Sequence, residues 1–299
     1  MKKIAMGIIV ILGVALLQPA HAQDKRSIVI IDTAIDTSHP DLQGKIVYEV
    51  CILDETRCPN GKFFQEGPGS ATLPVPQVSS NGFQHGTQMA LVANKINPDM
   101  NIVFIRIFSV QPKTGQAFGA TANSTVKAAL DWVANNKTKF NIVAVSASAG
   151  HNPTTTGANY CKLNRFDNGL KQSIAKLKSI GIASIFSAGN NGNPVTRSGD
   201  KSRINYPACL TDSVAISSFN ARGESVPSAN DSAEVDFYAL GTYEFSSGNI
   251  AGTSAATAGF AAYWVKNYSG SYDSTYNYFK SIATISDTQK SNTAVDILK

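Results

Sequence analysis

The chain has 299 residues, 43% of them hydrophobic and 16% charged, and carries a formal net charge of +5. This is an ordinary globular composition, with enough apolar material for one substantial core. The charge falls to +3 without Lys2 and Lys3, and no Lys/Arg cluster stands out, so nothing argues for nucleic acid as a partner.

In chain order, Lys2 and Lys3 precede an uncharged apolar run from Ile4 to Leu17, and Ala20-His21-Ala22 supplies a small-x-small cleavage site. This layout predicts a signal peptide over residues 1–22 and a mature start at Gln23. The run is short for an uncleaved anchor, and no second long apolar stretch follows. The expectation is a secreted or periplasmic protein with no stable membrane association after cleavage. No linker or internal repeat divides residues 23–299, so they read as one domain and as a monomer.

Short apolar runs rich in Val and Ile then recur: Ser27–Asp32, Asn101–Phe108, Asn141–Ser148, Ile182–Ser187 and Ser213–Ser217. Continuous rather than alternating runs suit strands buried on both faces. Helical stripes lie between them. One is Ala122, Val126, Ala129, Leu130 and Val133; another is Leu170, Ile174 and Leu177, with Gly181 as its stop. This alternation predicts an α/β, doubly wound, mostly parallel sheet with helices on both faces. Sites in such folds form where strands end and helices begin.

The four cysteines are Cys51, Cys58, Cys161 and Cys209. None forms a C-x-x-C pair and no histidines stand at zinc-ligand spacing, so no metal site and no cofactor is expected. In an exported protein they read as two disulfides, with three connectivities open. Cys51–Cys58 with Cys161–Cys209 is favoured, since the first closes a short loop and the second staples two distant segments.

Four polar residues fall at the expected junctions. Asp32 closes the first buried run, where a carboxylate is costly unless a group such as an imidazole binds it. Asp36 competes but falls in the following loop. His85 opens HGTQMALVAN, which reads as a buried helix, and it is the best placed of four histidines. His21 leaves with the leader, His39 reads as a turn residue, and His151 lies in a Gly/Asn/Pro/Thr-rich loop. Ser254 lies in IAGTSAATAGFAAYWV, uncharged until Lys266, and is expected on the first turn of a core helix. A helix N-terminus supplies free N–H groups for a developing oxyanion. Asn190, in SIFSAGNNG, closes another strand and offers an amide donor to the same charge. Taken singly, Asp32, Ser254 and Asn190 also fit structural roles in turns and caps.

Together the segments are less ambiguous. IDTAIDTSHPDL, HGTQMA, SAGNNG and AGTSAAT occur in the order and context of the subtilisin-like serine proteases. TVKAALDWVANNKTKFNIVAVSAS and INYPACLTDSVAISSFN resemble the same family, and the likeness runs from Ser27 to Val265. The resemblance implies Asp32 as orienting acid, His85 as general base and Ser254 as nucleophile. It implies Asn190 and the Ser254 N–H as oxyanion hole, and Ser146, Ala147, Ser148 and Gly150 as substrate-lining positions. The implied reaction is hydrolysis of polypeptides through an acyl-enzyme.

Some positions depart from the family pattern. Ala34 stands where glycine is usual, Ala258 where proline is usual, and Ser146-Ala147-Ser148-Ala149 replaces Ser-Leu-Gly-Gly. The last change is expected to narrow the first specificity pocket. Only nine residues, Gln23–Ile31, precede Asp32 in the expected mature chain, so folding without an N-terminal pro-domain is expected. The stretch after His85 lacks the loop that builds the family's strong calcium site; Asp41 matches one ligand position without its loop partners, and calcium needs about six to eight oxygens, so that site is not expected. Two rivals remain. An α/β-hydrolase needs a histidine after its serine, and none follows Ser254. A catalytically silent binding protein would fit the departures, although every group that performs the chemistry is present.

Overall fold

Ser27–Asp32 forms the first strand, β1, with all six side chains buried. The computed structural model describes residues 25–118, 123–150, 161, 169–192, 201–246, 248–285 and 293–294. The expected signal peptide and His151 lie outside them. After β1 come β2 (Ile46–Ile52), β3 (Phe64–Glu66), helix α1 (Gln84–Ile96) and β4 (Asn101–Arg106). A small hairpin of β5 (Ser109–Val110) and β6 (Ala117–Phe118) leads to α2 (Asn123–Phe140), β7 (Ile142–Ala147), α3 (Leu170–Ser179), β8 (Ala183–Ser187) and β9 (Ser213–Phe219). β10 (Phe237–Leu240) and a second hairpin, β11 (Thr242–Phe245) with β12 (Gly248–Ala251), precede α4 (Thr253–Lys266) and α5 (Tyr272–Ile282). β13 (Thr284–Ile285) and β14 (Thr293–Ala294) are the last described strands.

The main sheet has the order β13-β14-β10-β9-β8-β7-β1-β4-β2-β3. Its interior pairings are parallel; only β3 on β2 and β13 on β14 run antiparallel, at the two edges. β1 therefore sits between β4 and β7, where the chain turns from winding one way to winding the other. A crevice at the carboxyl ends of the strands opens at that point in doubly wound sheets.

Both faces are covered, which is why the strand runs are apolar throughout. Ile28 and Ile30 of β1 join one core with Met89 of α1 and Phe260 of α4. Val29 and Ile31, on the opposite face, join a second core with Leu130 of α2 and Ile174 of α3. α4 is buried on nearly all sides. Its alanines let the helix lie close to the sheet, while Phe260 and Trp264 meet Phe279 of α5 at ring-centroid distances of 5.0 and 5.3 Å.

The apolar runs at 101–108 and 141–148 are trimmed by two residues each, and β2 is a strand that apolarity alone did not mark. Its Glu49 interrupts the run, yet the carboxylate is buried and accepts the Gly69 and Ala71 N–H groups at 2.9 and 3.1 Å. Two backbone donors satisfy a charge that the strand would otherwise expose.

The structure contains the two favoured disulfides. Cys51–Cys58 closes a separation of 7 residues and Cys161–Cys209 one of 48, with Cα atoms 6.0 and 5.9 Å apart. Loop-closure entropy assigns about 2.5 kcal/mol to the first and about 4 kcal/mol to the second. Replacing Cys161 and Cys209 by serine is therefore expected to lower Tm more than replacing Cys51 and Cys58. At roughly 2–4 °C per kcal/mol for a chain of this size, calorimetry resolves the two. Equal melting of both variants and the parent would show that the bridges do not form in solution.

Candidate active site

Asp32 ends β1 with its side chain only 1% exposed. Its Oδ1 accepts the Thr33 N–H at 2.7 Å and lies 2.7 Å from His85 Nδ1, while Oδ2 is buried without a partner among the described residues. An ionised carboxylate only accepts, so Nδ1 carries the proton and Nε2 keeps its lone pair. Burial lowers the His85 pKa, but the charge of Asp32 and the hydrogen bond to it outweigh that, and the pKa stands above its ordinary 6.5. The His85 ring remains about one-third exposed, at 35%.

Thr33 sets this pair. Its hydroxyl donates to Phe83 O at 2.8 Å and accepts the Gly86 N–H at 2.9 Å, pinning the start of α1 to the end of β1. Thr87 repeats the link by accepting the Asp36 N–H at 2.9 Å. The approach is close. A Cβ on Gly86 would lie 2.6 Å from the Phe104 ring and closer still to the Ala34 carbonyl. The Ala34 methyl, unusual for the resembled family, is absorbed in a small cluster with Val78 and Phe83.

Arg106, beside Asp32 in the sheet register, supports the same region. It is 1% exposed, and burial pushes its pKa down to about 10. Its Nε donates to Phe108 O at 3.1 Å, Nη1 reaches Thr72 O at 3.5 Å, and the guanidinium lies 5.6 Å from the Phe83 ring centre. Asp36, the competing acid, is occupied elsewhere: its Oδ1 accepts the Ser38 N–H at 2.9 Å and the Ser38 hydroxyl at 2.6 Å, shaping a local turn. His39 caps a short 3-10 helix by accepting the Asp41 N–H at 3.3 Å.

Ser254 is the second residue of α4, half-buried, with no hydrogen-bond partner among the described residues. The N-cap is Gly252, at φ 120°, so Ser254 is not the cap that an isolated reading would make it. His85 holds the matching place in α1, also second from the start, and α1 packs against α4. Asn190 follows β8, and its Oδ1 accepts the Thr253 N–H at 3.1 Å, one residue before Ser254. With its oxygen engaged, the amide keeps Nδ2 and its two hydrogens for another acceptor. The Thr253 hydroxyl is buried without a partner among the described residues.

Along the expected lining stretch, Ser146 and Ala147 are sealed in β7 at 1% and 0% exposure, while Ser148 and Gly150 are half-buried. The Ser148 hydroxyl is buried without a partner among the described residues, and Gly150 presses on the Tyr206 carbonyl so closely that a Cβ would not fit. Thr33, Thr87 and Thr253 fall within the quoted motifs, which assign them no role, and Arg106 lies outside them; their roles come from partners distant along the chain. Among the described residues, no group of three His, Cys, Asp or Glu side chains gathers as a metal site would require. No described helix is long and apolar enough to cross a membrane.

The family model described as Subtilase family matches residues 23–289. The chain is 23% identical over 249 residues to the major intracellular serine protease of Bacillus subtilis, covering 77% of this chain and 64% of that protein. It is 26% identical over 242 residues to subtilisin of Bacillus pumilus, covering 80% and 73%. It thus spans about two-thirds of the length of these relatives. Among solved structures, a protease of Pseudoalteromonas arctica superposes with a TM-score of 0.68 at 18% identity, covering 92% of this chain and 89% of the other. A cold-adapted subtilisin-like serine proteinase gives a TM-score of 0.59 at 19% identity, covering 91% and 89%.

Proposed function

The chain belongs to the subtilase family, and from that premise we propose that it is a secreted serine endopeptidase acting through Asp32, His85 and Ser254. The observation that carries the reading is the buried Asp32 carboxylate 2.7 Å from His85 Nδ1, at the head of a helix packed on the one that presents Ser254. His85 Nε2 takes the Ser254 proton as the hydroxyl oxygen attacks the peptide carbonyl, and later returns it to the leaving amine. Asp32 holds the imidazole in the tautomer that leaves Nε2 as base and stabilises the imidazolium formed. Asn190 Nδ2 and the Ser254 N–H receive the negative charge on the carbonyl oxygen, aided by the N-terminal dipole of α4. Water then attacks the acyl-enzyme by the same proton route.

Polypeptides are the proposed substrates, with Ser148 and Gly150 as the half-buried part of the lining stretch. Export is supported by the leader-like residues 1–22 and by two disulfides, which persist in oxidising compartments. One relative is named an intracellular protease, so family membership alone does not set the compartment.

The test uses protein beginning at Gln23 and a fluorophosphonate probe, which labels only activated serines. Labelling at Ser254, with release of peptides from a denatured protein substrate, is the expected result. Folded protein that takes no label and releases no peptides would favour a protease-like binding protein.

A further inference from the structure

Asn190 lies three residues beyond the end of β8, outside any helix or sheet ladder. A donor aimed at an oxyanion must be placed within a few tenths of an ångström, so something else has to fix this segment. One residue does. Asn230, on the segment between β9 and β10, is 0% exposed. Its Oδ1 accepts the Asn191 N–H at 2.8 Å, and its Nδ2 donates to Ala188 O at 2.9 Å and reaches Asn205 Oδ1 at 3.5 Å. Its backbone N–H donates to Gly189 O at 2.9 Å, and its backbone carbonyl accepts the Ser217 hydroxyl at 2.5 Å, anchoring it to β9.

Residues 188, 189 and 191 are thus all held by Asn230, and the residue between them, Asn190, keeps its side chain for Thr253 and for a ligand. The clamp also dictates its neighbour. Gly189 has φ 108°, and a Cβ there would lie 2.6 Å from Asn230 Nδ2. Only a residue with both a donor and an acceptor on one short planar group makes both side-chain bonds at once, which an amide does and a carboxylate or hydroxyl does not.

We propose that Asn230 is a positioning residue for the oxyanion side of the site, setting Asn190 Nδ2 through the backbone of Ala188–Asn191. The inference rests on the reading of Asn190 as an oxyanion donor. Because that charge exists only in the transition state, loosening the clamp lowers kcat and leaves KM in place. A displacement of about 1 Å at a reacting centre costs on the order of a hundredfold, so a partial loosening is expected to cost about 10- to 100-fold.

The experiment measures kcat and KM on a peptide substrate for Asn230→Ala, Asn230→Asp and Asn190→Ala, and for each Asn230 substitution combined with Asn190→Ala. Concentrations are set by titration with a covalent serine inhibitor. Asn190→Ala is expected to lower kcat by about 10²- to 10³-fold. Each Asn230 variant is expected to lose kcat about 10- to 100-fold with KM within about twofold, and to add no further loss once Asn190 is alanine. An unchanged kcat in a folded Asn230 variant, or the same loss repeated in the Asn190→Ala background, would overturn the inference. If neither Asn230 variant folds, the residue is structural and the inference fails. Asn190→Ala without effect would remove the oxyanion reading and this one with it, leaving Ser254 as nucleophile. No hydrolysis by the parent protein would remove the protease reading itself.

Discussion

Ser254→Ala is expected to lower kcat for peptide hydrolysis by about a million-fold with little change in KM, the loss known for the triad of subtilisin itself. In the proposed mechanism this hydroxyl forms the covalent bond to substrate, so its removal closes the acyl-enzyme route rather than weakening it. Remaining catalysis comes from the oxyanion donors and from substrate binding, roughly 10³- to 10⁴-fold over water. His85→Ala is expected to match that loss, because an undeprotonated serine is as ineffective as an absent one. The two substitutions together should cost no more than either alone. Steady-state kinetics on a chromogenic peptide, with folding checked by circular dichroism, decides the matter. Undiminished hydrolysis by Ser254→Ala would move the nucleophile elsewhere, and multiplying losses would break the unit into independent parts.

Asp32→Asn is expected to cost about 10⁴-fold in kcat and to move the acid limb of activity to lower pH. An amide in that position is able to donate to Nδ1, which favours the tautomer with its proton on Nε2, facing the serine. The second effect follows from the forces on His85. Burial lowers its pKa, while the charge and hydrogen bond of Asp32 raise it past the ordinary 6.5. With both raising contributions gone, burial alone remains. In the parent, the free base is lost as pH falls through the raised value, so kcat/KM declines there; in the variant the decline is expected further towards acid. The same raised pKa makes protonated His85 favour the folded state. Its contribution is complete below the unfolded value and is lost as pH rises through the folded one. Plots of log kcat/KM against pH for both proteins test the assignment. A limb that stays where it was would belong to another group.

Much of the fold around the candidate site is legible in the sequence, residue by residue. Ser27–Asp32 is predicted and observed as one strand because an unbroken apolar run of that length needs cover on both faces. Ser254 and His85 were placed on the first turns of buried helices from the small and apolar residues that follow them, and both helices start one residue earlier. β2 escaped the reading because Glu49 breaks its apolarity, and only the Gly69 and Ala71 N–H groups explain a buried carboxylate there. Choosing Asp32 over Asp36 also needed space: the two are four residues apart in similar surroundings, and one carboxylate meets His85 while the other folds onto Ser38.

Strand and helix alternation and a parallel two-faced sheet were determined by the sequence alone, because burial is imposed locally and leaves a period in the chain. The partnerships were decided only by the tertiary structure. Asp32 and His85 are 53 residues apart, Asn190 and Thr253 are 63, and Asn230 and Ala188 are 42. Each is a hydrogen bond whose worth depends on distances of 2.7 to 3.1 Å, and such a bond leaves no period in the chain. Sheet order brings those ends together: β1 lies between β4 and β7, and packing sets α1 against α4 over the same edge of the sheet.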